Sequence, residues 1–388
     1  MENTPEVYPT PAKTAVRKGI KDLLGGMWLF FLMLISCVQA GASSTFPAPV
    51  QTDTFYRIAF YNAENFFDCL HDSGKNDHDF TPTGIKGWGK TKYTNKRNNL
   101  FKVIAALNAA CPLAALGMAE IENARVLRDL CMGTPLRYLQ FDFVHFESPD
   151  PRGIDVALLY RKDILRIDTA FIHPLIIPPD TTARTRDILY VRATPRKGVN
   201  LPDTLHLFVN HFPSKYGGVQ ETDHKRAAAA RLLRKALDSI ACRHPSAFVL
   251  AMGDFNTVPE DSALYLLRTD PYVNLMHNKN WHGNKGSHKF RETWSTIDHI
   301  IVHRSVLNQV KMQQSFRFDP PFLLQTDEKY MGEKPFRTFY GAKHLGGYSD
   351  HLPVYVDILQ TKQPENACKQ TFSGCPPQQT KITYPHLE

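Results

Sequence analysis

Apolar residues along the chain fall into two spacings. Short, almost unbroken apolar runs, "YRIAFYN", "LAALGMAEIEN", "GIDVALLYR", "LHLFVNHF", "AFVLAMGDF" and "TIDHIIV", read as buried strands. Between them, "TNKRNNLFKVIAALN" repeats apolar positions at helical spacing and predicts a helix starting near Asn95. "ARVLRDLC" predicts a second helix, and "DHKRAAAARLLRKALDSI" a long third one, rich in strong helix formers. Strands alternating with helices argue an α/β fold whose helices cover buried strands. Residues 71–94 and 311–349 carry Gly and Pro but little periodicity, and loops of that length are often functional. Residues 41–55 read as a linker around a domain spanning 56–359, and 360–388 as a polar tail.

What ends the strands changes the picture. "LAMGDFNTVP" closes an apolar run on Asp254 and Asn256, which period-two alternation predicts on one face of the strand. "RIAFYNAEN" ends on Asn62 and Glu64, "ALGMAEIEN" on Glu120, and "HLFVNHFPSK" on Asn210 and His211. "TWSTIDHIIV" carries Asp298 within an Ile-rich strand, where Ile300 and Val302 share its face, so Asp298 should be buried. "GGYSDHLPVYV" sets Asp350 and His351 just before another strand. One polar strand tip is ordinary turn chemistry. The repeated set is not, and ligand sites of α/β folds gather at the carboxyl ends of strands.

These residue types select a reaction. A carboxylate such as Glu120 is a hard donor for Mg2+, Mn2+ or Ca2+, and Mg2+ typically takes one or two carboxylates beside waters and phosphate oxygens. His211 and His351 suit proton exchange with water or phosphate. The amides of Asn62 and Asn256 offer uncharged donors to a developing oxyanion. No GxxxxGK[ST] and no GxSxG occurs, so neither P-loop nucleotide hydrolysis nor a serine hydrolase is supported. The combination points to metal-assisted phosphoester hydrolysis by activated water.

Taken in order, "YNAENFFD", "GMAEIEN", "GIDVALLY", "VNHFPSK", "GDFN", "TIDHI" and "SDHLPV" resemble the endonuclease/exonuclease/phosphatase superfamily, the DNase I-like proteins, from about Tyr56 to Leu359. The resemblance implies a four-layer α/β sandwich: two packed β-sheets flanked by helices, with the site at one rim. It makes Glu120 the principal metal carboxylate, with Glu64, Asn62 and Asp350 beside it, and Mg2+ the expected ion, Mn2+ or Ca2+ its alternatives. It sets Asn62 and Arg152 toward the substrate phosphate and has His211 hydrogen-bond the scissile group. Asp254 would position or deprotonate the attacking water while Asn256 donates to the oxyanion. His351 would lie against the phosphate with Asp298 behind it. Lys215 either contacts a phosphate or solvates its loop. Asp155 receives no role, and Arg226 reads as the solvated face of a basic helix.

Composition and charge bear on the substrate. The apolar content of 43% and charged content of 22% are those of a soluble globular protein. The net charge of +8 favours a polyanionic partner. Lys13, Arg17, Lys18 and Lys21 precede "MWLFFLMLISCVQA", which reads as an export signal over residues 1–40. Cleavage after the small residues Val38 and Ala40 would release the protein, whereas "LISC" resembles a lipobox that would anchor it through Cys37. Six further cysteines include Cys368 and Cys375 in the tail, the closest-spaced pair, and no CxxC suggests structural zinc. An exported monomer acting on nucleic acid is therefore expected, with a phospholipid-directed enzyme as the alternative. The loop aromatics Trp88, Tyr330, Phe336 and Tyr340 suit either substrate. A binding module without activity is disfavoured because every motif residue is present. The shared core fixes the reaction; the loops choose the substrate.

Overall fold

The computed structural model describes residues 54–179, 184–215, 218–277, 286–312 and 316–360. The expected export signal over residues 1–40, with Cys37, and the candidate pair Cys368 and Cys375 lie outside these residues. In chain order the larger elements are β1 (Tyr56–Phe66), α1 (Lys90–Ala110), β2 (Leu113–Ile121), α2 (Ala124–Met132), β3 (Phe141–His145), β4 (Asp155–Arg161) and β5 (Leu165–His173). They continue with β6 (Ile188–Pro195), β7 (Leu205–His211), α3 (Val219–Arg243), β8 (Phe248–Asp254), β9 (Tyr272–Asn274), β10 (His288–Phe290), β11 (Thr293–Ser295) and β12 (Asp298–His303). Short strands β13 (Val310–Met312), β14 (Phe316–Arg317), β15 (Leu324–Thr326), β16 (Glu333–Pro335), β17 (Phe339–Tyr340) and β18 (Lys343–His344) lead to β19 (Val354–Gln360).

Two mixed sheets result. A seven-stranded sheet runs β13-β19-β1-β2-β4-β3 with β14 also on β19, and a six-stranded sheet runs β5-β6-β7-β8-β12-β9. Among the described residues only β1 with β2 and β7 with β8 pair in parallel in these sheets; each other neighbouring pair is antiparallel. Residue alternation sorts the apolar side chains into layers. Along β1, Ala59, Tyr61 and Ala63 join Leu100, Val103, Ile104 and Leu107 of α1 in one outer core. Ile58 and Phe60 point the other way and meet Leu207, Val209, Leu250, Met252, Ile300 and Val302 between the sheets. Phe208, Val249 and Ala251 face Leu233 and Leu237 of α3 in the second outer core. The layers are helix, sheet, sheet, helix, the expected four-layer sandwich.

Two expectations are corrected. Helix α1 starts at Lys90, five residues before Asn95. Its first turn is polar and carries no periodic signal, yet Tyr93 is buried there. Arg226 is fully buried instead of solvated. It donates to Thr222 Oγ1 at 2.7 Å and to the Ser214 carbonyl, because the chain following β7 covers that face of α3.

Candidate active site

Three apolar rows of the inter-sheet core end in polar residues at one rim. On β8, Phe248, Leu250 and Met252 face the opposite sheet, and Asp254 is the next residue on that face. On β7, Leu205, Leu207 and Val209 lead to His211 in the same way. On β12, Val302 and Ile300 lead back to Asp298. Register then aligns them: His211 and Asp298 are both cross-strand partners of Asp254. Across the sandwich, Asn62 continues the row of Ile58 and Phe60 and donates from Nδ2 to Asp254 Oδ2 at 3.1 Å.

Asn256 departs from the alternation argument. Strand β8 stops at Asp254, and Asn256 takes a left-handed φ of 50°, so the two are not rungs of one strand. Instead the Asn256 backbone N–H caps Asp254 Oδ1 at 2.8 Å, and its side-chain amide donates to the Phe212 carbonyl at 3.0 Å. Glu64, Asn65 and Glu120 also have positive φ, between 50° and 59°. Such conformations cost non-glycine residues about 1–3 kcal/mol each and cluster where surrounding structure enforces them, commonly at functional sites. The turns they make bring the Asn65 N–H to Glu120 Oε2 at 2.9 Å.

Electrostatics divide the two histidines. His351 donates from Nδ1 to Asp298 Oδ2 at 2.8 Å, and its Nε2 lies 3.7 Å from Asp254 Oδ2. Burial opposes its charge, but Asp298 and Asp254 outweigh burial and hold its pKa well above the usual value. His211 Nε2 lies equally far from Asp254 Oδ2, yet burial, Arg186, Arg152 and His351 hold its pKa well below the usual value. The pair is thus one imidazolium and one neutral imidazole. Asp254 between them is pushed up to about 7, chiefly by burial, with His351 pulling it down and Asp298 raising it. His288, whose ring centre lies 5.0 Å from that of His351, falls to about 4 through burial and the His351 charge.

A divalent ion fits this set at Glu120. That carboxylate is partly open, uses Oε2 for one backbone N–H, and has Oε1 3.4 Å from Arg152 Nη2. One hard carboxylate with room for water and phosphate oxygens is what Mg2+ accepts. The other expected ligands are engaged. Asn62 Oδ1 accepts the Glu64 N–H, and the Glu64 oxygens accept Arg337 Nε at 3.1 Å and the Thr338 N–H at 2.6 Å. Asp350 Oδ2 accepts Arg337 Nη2 at 2.9 Å; burial would raise this acid, but Arg337, His351 and His288 hold it at about 2. Asp254, Asp298 and His351 have ligand atoms within 4.8 Å of one another, but a protonated imidazole offers no lone pair to a metal.

Of the expected phosphate contacts, Arg152 stands at the site beside Glu120 and Asn65. Lys215 pairs with Asp261 at 3.2 Å, which favours its loop role. Asp155, left without a role, accepts His145 Nε2 at 3.1 Å and the Ser148 N–H at 2.8 Å, fixing the strand end that leads to Arg152. Trp88 is buried against Phe80 and Phe339 and is no contact surface, whereas Tyr340 is exposed. Sequence reasoning missed Arg337, the buried Lys96, Ser349 and Arg186. Ser349 Oγ bonds the Asn62 carbonyl and the His351 N–H, and Arg186 ties Asp150 to the Phe212 carbonyl. Only Ser349 sits inside a recognisable motif.

The model of the endonuclease/exonuclease/phosphatase family matches residues 57–360, while no curated protein matches. A family protein from Bacteroides thetaiotaomicron superposes with a TM-score of 0.51 at 16% identity, over 79% of this chain and 98% of that one. A mannosyl-6-phosphatase from Bacteroides thetaiotaomicron VPI-5482 gives 0.51 at 17%, over 78% and 99%. The human Nocturnin catalytic domain with bound sulfate gives 0.50 at 14%, over 79% and 95%. At such identities the likeness establishes the fold. The chain belongs to the endonuclease/exonuclease/phosphatase family.

Proposed function

We propose that the protein is an exported, metal-dependent phosphodiesterase acting on nucleic acid. The observation that carries the hydrolytic reading is the row His211–Asp254–Asp298 with His351 beside it, and Glu120 bonded to the Asn65 N–H three residues along β1 from Asn62. A divalent ion at Glu120 would polarise the phosphoryl group and acidify water. Water bonds to phosphorus as the P–O ester bond breaks. The proton shed by the water passes to Asp254, whose pKa of about 7 suits a base at neutral pH. The His351 imidazolium, oriented by Asp298, donates to a phosphoryl oxygen as negative charge grows. The leaving alkoxide takes its proton from solvent.

Nucleic acid is favoured by the basic chain, whose net charge stays at +7 once residues 1–40 are removed. The export reading rests on the basic stretch ahead of the apolar run in those same residues. The likeness to a mannosyl-6-phosphatase supports a second reading, a sugar-phosphate monoesterase. The test is a panel with Mg2+, Mn2+ or Ca2+ against DNA, RNA, sphingomyelin, a phosphoinositide and a hexose 6-phosphate. Cleavage of DNA or RNA that EDTA abolishes and salt weakens is expected. Turnover of the hexose phosphate or a lipid with both nucleic acids intact would replace this substrate class, and full activity in chelator would end the metal-dependent reading.

A further inference from the structure

Glu64, near the end of β1, and Asp350, in the loop ahead of β19, are bridged by one guanidinium. Arg337, in the link between β16 and β17, donates from Nε to Glu64 Oε1 at 3.1 Å and from Nη2 to Asp350 Oδ2 at 2.9 Å. The link is held in place from the helix side. Lys96 of α1, only 1% exposed, donates to Thr338 Oγ1 at 2.6 Å and to the Tyr348 carbonyl, and Glu64 also accepts the Thr338 N–H. Arg337 Nη1 has no hydrogen-bond partner among the described residues, and the side chain remains 35% exposed. A planar fork anchored on two acids with one edge open matches a phosphate oxygen; a lysine ammonium lacks that geometry.

We propose that Arg337 is a built-in second cation of this site: it fills the Glu64–Asp350 pair, leaves Glu120 as the acid that holds an ion, and presents Nη1 to the substrate phosphate. The inference rests on reading this rim as a phosphoester-hydrolysing site. Two carboxylates that share one guanidinium would otherwise repel one another or collect a cation of their own. Arginine supplies that charge permanently, since it does not deprotonate. It is therefore a substrate-binding residue that sets both ion stoichiometry and phosphate affinity.

The experiment measures Mn2+ binding to the full chain by calorimetry and by electron paramagnetic resonance, alongside steady-state kinetics. One bound ion per chain is expected for the wild type. Arg337→Met should gain a second ion, or bind Mn2+ at least about tenfold more tightly, while KM for the cleaved substrate rises about tenfold and kcat changes less. Arg337→Lys should keep the one-ion stoichiometry but share the raised KM, because charge is retained and the fork is lost. It also keeps the test decisive if the methionine variant folds poorly. Unchanged Mn2+ binding in a folded Arg337→Met, or a normal KM in Arg337→Lys, overturns the proposal. If no phosphoester is turned over yet Arg337→Met still gains an ion, the hydrolase reading fails and the charge-replacement role stands.

Discussion

Asp298 shows how one side chain sets the state of another. It is 1% exposed, and its Oδ2 accepts the His351 Nδ1–H, which fixes the orientation of the ring and leaves Nε2 for the substrate side. Its charge is also the first of the contributions that keep His351 protonated against burial. Removing that charge while keeping the shape therefore changes both orientation and protonation. Asp298→Asn and His351→Ala should each lower kcat by a factor on the order of 10² with little change in KM. Because the two act as a unit, the double variant should be scarcely slower than either one. Additive losses in the double-variant cycle, or full kcat in a folded Asp298→Asn, would reduce Asp298 to a structural acid.

Strands β7 and β8 carry this chemistry because their backbones approach closely, and one residue permits it. A Cβ placed on Gly253 would lie 2.4 Å from the Asn210 carbonyl oxygen and 2.7 Å from Asn210 Cβ, so only glycine fits ahead of Asp254. Gly253→Ala should cost about 1–3 kcal/mol in urea unfolding and lower kcat, since the strand shift moves His211 relative to Asp254. Stability matching the wild type would show that the strands absorb the methyl. Such close pairing is also why so much was legible. Buried strands ending in acids, amides and histidines leave a local record, so β1, β2, β4, β7, β8 and β12 and the polar residues gathered at their ends could be read. Strand β5 left little record because most of its residues are only half-buried and its apolar positions are diluted by Arg166, Asp168 and Thr169. Arg337 left none: its meaning arises from Glu64, 273 residues away in the chain, and from Asp350. Arg226 misled for the same reason, since a covering loop, and not the helix pattern, decides its burial.

Across the whole molecule, acid acts through two opposed sets of buried groups. Burial lowers His206, His288 and His299 to about 4, whereas burial raises Glu122 to about 9 and Asp254 to about 7. The histidines bind fewer protons folded than unfolded between pH 4 and 6.5, so their contribution is present above pH 6.5 and is lost as the pH falls. The raised acids act with the opposite sign, because their folded forms hold protons that the unfolded chain releases. Total stability against pH thus mixes both, and a single histidine is read as a difference between variants. His299 is the clearest case. It is fully buried, bonds the Thr257 carbonyl through Nε2, and has Asn274 Nδ2 3.2 Å from Nδ1. The neutral Nε2–H tautomer satisfies both contacts, while a second proton on Nδ1 would meet the amide's own hydrogens. The stability advantage of the wild type over His299→Gln should therefore shrink by about 1.6 kcal/mol from pH 6.5 to 5, the slope rising toward about 1.4 kcal/mol per pH unit as the unfolded histidine becomes fully protonated. Urea unfolding of both proteins at the two pH values measures it, and a difference that stays constant would mean that His299 takes up its proton as readily in the folded state as in the unfolded chain.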